Sequence, residues 1–80
     1  MKKTICLFTR KFGGDVVKSA YTDFQKALDE FNNAYHSNQK CGFSCIAQTT
    51  IDEDGNYTKV AKCQKGDEII RLRLESVPLD

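Results

Sequence analysis

The sequence has no tryptophan, one proline, one histidine and one methionine among its 80 residues. A lone histidine leaves little for nucleophilic catalysis, because a Cys–His site needs a base and a further group to orient it. No apolar run approaches the roughly 18 residues that a membrane helix requires. No Gly-Lys-Ser/Thr follows Gly13-Gly14, which excludes a phosphate loop. Charge of one sign is missing as well: 12 Lys and Arg stand against 11 Asp and Glu, a formal net charge of +1. That balance fits neither an acidic DNA mimic nor a protein held on nucleic acid by bulk charge. The length excludes a two-domain enzyme or a doubly wound nucleotide fold, and predicts one domain over residues 1–80.

What is present is a globular mix, with 40% hydrophobic and 29% charged residues. The unusual component is four cysteines, Cys6, Cys41, Cys45 and Cys63. A domain of this size has a thin core and often needs a staple. The opening Met1-Lys2-Lys3 resembles the start of a secretory signal. The apolar stretch that follows, Ile5 to Phe8, is too short for one, and Arg10 and Lys11 interrupt it. The chain therefore reads as intracellular and cytoplasmic, with reduced thiols.

Periodicity divides the chain into six elements. Residues 3–12 are rich in β-formers, and Gly13-Gly14 suits a two-residue hairpin turn. The return strand, 15–21, then sets Phe12 opposite Asp15, Arg10 opposite Val17 and Leu7 opposite Ala20. Phe24, Ala27, Leu28, Phe31, Ala34 and Tyr35 fall on one stripe of a helix. Thr22 with Gln25 forms a capping box, and Ser37-Asn38 is a stop signal with Asn38 as the left-handed cap, so the helix is predicted over about 23–37. From Phe43 the period becomes two, with Phe43, Cys45, Ala47, Thr49 and Ile51 on one face. A loop ending near Gly55 sets Ile51 opposite Tyr57, Ala47 opposite Ala61 and Cys45 opposite Cys63. Lys65-Gly66 turns the chain into a last strand, Glu68 to Val77, which Pro78 ends.

The predicted fold is α+β, a two-layer ββαβββ domain with one amphipathic helix on one face of a mostly antiparallel sheet. Its expected core is Phe24, Leu28, Phe31, Tyr35, Phe43, Ala47, Ile51, Ala61, Ile70, Leu72 and Leu74, with Leu7 or Phe8. One helix covers one face, so the other is bare and carries Ile46, Gln48, Val60, Lys62, Ile69, Arg71 and Arg73. Arginine set among apolar side chains suits a contact surface.

Three readings of function follow. The leading one is a small non-enzymatic protein-binding protein without a cofactor, contacting its partner through Arg71, Arg73, Ile46, Val60 and Lys62. An exposed edge strand adds the expectation of a homodimer by strand pairing. In size and compact ββαβββ pattern the chain resembles the small accessory proteins of bacteriophages and other mobile elements. That resemblance implies inhibition or modulation of a host protein. The second reading is a nucleic-acid-binding module using the basic first hairpin, Lys2, Lys3, Arg10, Lys11 and Lys18. Residues 1–20 hold five positive charges and one negative. The bare face offers no aromatic platform for stacking bases, which counts against a single-strand binder. The third is a metal-stapled domain using His36, Cys41, Cys45 and Cys63. It requires a turn at Gly42, because Cys41 and Cys45 in an extended strand would stand roughly 13 Å apart. Asp52-x-Asp54-x-Asn56 echoes a calcium loop, but Tyr57 replaces its glycine and Cys63 its bidentate glutamate.

Overall fold

The computed structural model describes the backbone of residues 3–79 and the side chains of 4–77. The elements are β1 (Lys3–Phe12), β2 (Asp15–Tyr21), α1 (Phe24–Lys40), β3 (Ser44–Ile51), β4 (Tyr57–Lys65) and β5 (Glu68–Leu79). The fold is α+β, with five antiparallel strands in one sheet of order β2-β1-β5-β4-β3. The last strand thus inserts beside the first, and β2 and β3 form the two edges.

Both hairpin registers follow from their turns. Phe12 pairs with Asp15, Arg10 with Val17 and Leu7 with Ala20. Ile51 pairs with Tyr57, Ala47 with Ala61 and Cys45 with Cys63. The Asp52–Asn56 loop is held from within. The Asp52 Oδ1 atom accepts from the backbone N–H groups of Asp54 and Asn56, both at 2.9 Å, while Oδ2 accepts from the Asn56 amide at 3.1 Å. These bonds, led by those from Asn56, hold the Asp52 carboxyl below its usual pKa.

Helix α1 begins one residue later and ends three residues later than its sequence signals suggest. Its N-cap is Asp23, not Thr22: the Asp23 carboxylate accepts from the N–H groups of Gln25 at 2.9 Å and Lys26 at 3.4 Å. A charged cap satisfies two free donors and opposes the positive end of the helix dipole. At the other end Asn38 remains helical, and Gly42 takes the left-handed conformation with φ 94°. Phe43 N–H bonds to the Asn38 carbonyl and Gly42 N–H to that of Gln39, which is the Schellman arrangement. Glycine wins this position because it bears no Cβ penalty at positive φ. Pro78 does not end β5; it pairs with Thr4 within the strand. The β4 ladder ends at Glu75, and beyond Ser76, whose hydroxyl accepts from the Tyr57 N–H, β5 has no β4 residue beside it, so a residue without an N–H is tolerated there.

The core lies under the centre of the helix. Cys6, Phe8, Ala27, Phe31, Ala61, Cys63, Leu72 and Leu74 are buried. Phe31 stacks near Tyr35 and tilts against Phe8, with centroids 6.5 and 5.9 Å apart. Lys59 also lies on this face; its ammonium sits 5.1 Å over the Phe31 ring and donates to the side-chain Oδ1 of Asn32. Four of the expected core residues lie further out. Phe24 and Ala47 are exposed, Ile51 is 66% exposed, and Phe43 is only half-buried. Phe24, at the start of the helix, packs edge-on against Tyr57 with centroids 4.9 Å apart; for Phe43, Ala47 and Ile51 the reason is width. A helix is about 10–12 Å across, whereas five strands at about 4.8 Å spacing span roughly 19 Å. The outer strand β3 extends past the helix.

Candidate functional site

Period-two alternation fixes what the open face carries. Cys6, Phe8, Ala61, Cys63, Leu72 and Leu74 point toward the helix, so their neighbours in each strand point away. The strand registers then define rows across the sheet. One row runs Val16, Lys11, Arg71, Lys62 and Ile46 from β2 to β3. The next runs Lys18, Thr9, Arg73, Val60 and Gln48, and the third Ala20, Leu7, Glu75, Thr58 and Thr50. The first two rows frame a shallow cleft of about 670 Å³ with Glu75 at its border.

Among the described side chains, five cations therefore share this surface: Lys11, Lys18, Lys62, Arg71 and Arg73, all exposed. They face one acid, Glu75, whose Oε2 receives the Arg73 Nη2 at 3.3 Å. This is the only ion pair among the described residues, and it is open to solvent. Lys11, Arg71 and Lys62 stand directly opposite one another on three adjacent strands. Like charges opposed across strands are destabilising. Their aliphatic frame is exposed too: Ile46 is 78% and Val16 50% accessible. The described side chains on this face include no aromatic platform for stacking bases.

All five residues read from the sequence as partner contacts, Arg71, Arg73, Ile46, Val60 and Lys62, lie on this face. The basic hairpin divides. Lys11 and Lys18 join the open face, while Arg10 points to the helix side, its guanidinium 5.7 Å from the Phe8 ring centroid. Lys2 and the Lys3 side chain lie outside the described residues. The meeting of Lys11 with Arg71 has no signature in the sequence. The alternation of β1 shows which way Lys11 points, but no local signal places β1 beside β5.

The cysteine and histidine set does not converge. Among the described residues, no three His, Cys, Asp or Glu side chains are placed to hold a metal ion. The His36 ring meets the Gln39 side chain at 3.3 Å. Cys41 is exposed beyond the helix end, while Cys45 and Cys63 face each other as free thiols. Burial and the adjoining Cys63 push the Cys45 thiol up to about 12. Burial, with the Asp23 charge, also raises Cys6. Such thiols are poor nucleophiles and poor ligands at neutral pH.

No helix among the described residues is long and apolar enough to cross a membrane. Neither a protein-family model nor a curated protein matches the chain. Function is therefore to be read from the face itself.

Proposed function

We propose that the chain is a small non-enzymatic binding protein whose open sheet face takes an acidic surface of a protein partner. The observation that carries this reading is the row Lys11–Arg71–Lys62, flanked by Val16 and Ile46. Three opposed cations weaken the isolated fold, and an acidic partner would relieve them. The exposed aliphatic groups at both ends of the row supply the apolar contacts that a protein interface uses. In this reading the chain acts by occupancy, covering a partner's acidic patch and so inhibiting or modulating it. The test is affinity capture with quantitative mass spectrometry, comparing the wild type with Lys62→Glu/Arg71→Glu. A protein retained by the wild type and lost by the folded variant supports the proposal. Equal retention by both refutes it.

The merging of Lys11 and Lys18 onto the arginine face favours a second reading, contact with nucleic-acid phosphates. Five phosphate contacts would give a log–log salt slope of about −4 to −5. Failure to bind DNA or RNA at low salt removes this reading and leaves the first in place.

A further inference from the structure

We infer that two copies of the chain pair through β3, antiparallel about a two-fold axis at Ala47, to form one continuous ten-stranded sheet. The inference comes from the edge and its ends, and it is independent of what the open face binds.

The eight residues of β3, Ser44 to Ile51, include no charge and no proline. The opposite edge, β2, carries Asp15 and Lys18. Charges on edge strands are a common guard against pairing, and β3 lacks them. Its free hydrogen-bonding groups can be assigned. Asp52 N–H bonds inward to the Asn56 carbonyl. By alternation, Cys45, Ala47, Thr49 and Ile51 direct their N–H and C=O groups outward. The Tyr35 hydroxyl donates to the Cys45 carbonyl at 3.1 Å, which agrees with that direction and uses one of its two lone pairs. The rest of the edge lacks any such cover from the helix.

The ends of β3 favour a second copy as the occupant. Before the strand stand Lys40, at the end of α1, and Lys65, whose Nζ donates to the Cys41 carbonyl at 3.0 Å. After it comes the acidic turn Asp52-Glu53-Asp54. Nearest the edge, cations thus stand at its start and acids at its end; Asp67 and Glu68 are also at the start, but Glu68 lies on β5, on the far side of Lys65 from the edge. Antiparallel self-pairing sets each acidic turn alongside Lys40 and Lys65 of the second copy, twice over. The axis at Ala47 also puts Ile51, which is 66% exposed, opposite the half-buried Phe43 of the other copy. It pairs Cys45 with Thr49, and no charged side chain enters the seam. Because the axis is normal to the sheet, both open faces lie on the same side and join.

The experiment is sedimentation equilibrium over a range of concentrations, with circular dichroism to confirm folding. The wild type is expected to approach twice its monomer mass. Ala47→Lys, which opposes two ammonium groups at the axis, is expected to be a folded monomer. Val17→Lys, on the other edge strand, is expected to dimerise as the wild type does. Should Ala47→Lys fail to fold, the charged ends give the second test. Glu53→Lys/Asp54→Lys should weaken dimerisation about tenfold, and adding Lys40→Glu/Lys65→Glu should restore it. A wild type that is monomeric at every concentration overturns the inference. So does a dimer indifferent to both the axial lysine and the reversed ends.

Discussion

Arg71 is predicted to weaken the fold that carries it. It stands between Lys11 and Lys62 on adjacent strands. Glu75, the acid on this face, stands two rows away and pairs with Arg73. A like-charge pair directly opposed across strands costs from a few tenths to about 1 kcal/mol. Two such pairs give a penalty on the order of 1 kcal/mol. Arg71→Gln removes both repulsions and keeps much of the stem, and Arg71→Glu replaces them with two attractions. The melting temperature should rise in the order wild type, Gln, Glu. In a domain of this size each kcal/mol corresponds to roughly 4–8 °C. Thermal unfolding followed by circular dichroism measures it, first at low salt and then near 1 M salt, where the Debye length falls to about 3 Å. The gain should shrink at high salt because all three groups are exposed. A loss of stability at low salt, or a gain that salt leaves untouched, would refute the electrostatic account of the row.

Three further outcomes are expected. Phe31→Ala empties the centre of the core, where Phe31 is fully buried between Phe8 and Tyr35. It should cost about 3–5 kcal/mol by denaturant titration, enough to leave much of so small a domain unfolded. In the native protein at neutral pH, a chromogenic disulfide reagent should react quickly with Cys41 alone; all four thiols should respond after denaturation. Two or more fast thiols in the folded state would contradict the burial that raises Cys6 and Cys45. The Asp52 carboxyl is lowered in the fold, so the stability it contributes is present above its unfolded pKa and is lost as pH falls through its folded one. The stability difference between wild type and Asp52→Ala should therefore be constant near neutrality and shrink below about pH 4. A difference that persists undiminished in strong acid would contradict this.

Local chemistry makes much of the fold legible. Gly13-Gly14 and Gly55 fix two hairpins, and a fixed turn sets every pair behind it, including Cys45 with Cys63. The helix stripe is clear because an apolar period of 3.6 residues fits a helix and no strand. Its end is not clear: Ser37-Asn38 and Cys41-Gly42 both offer a stop, and the backbone freedom of Gly42 decides between them. The inward face of β3 reads as core because alternation reports direction and not depth. How far one helix reaches across five strands is a tertiary matter. For the surface, alternation places Arg71, Arg73, Lys62, Ile46 and Val60 together. Adding Lys11 and Lys18 requires the pairing of β1 with β5, which joins residues some sixty positions apart through no turn. The cation row is hidden in the sequence for that reason.

Adjacent residues with opposite directions offer the most direct test. Arg10 and Lys11 are neighbours on β1, one turned to the helix side and the other to the open face. The affinity of the captured partner should be measured by titration calorimetry for Arg10→Glu and Lys11→Glu, both checked for folding. If the open face is the binding surface, Lys11→Glu should weaken binding about tenfold or more, while Arg10→Glu should bind nearly as the wild type does. Equal losses in the two variants, or a larger loss in Arg10→Glu, would contradict that assignment.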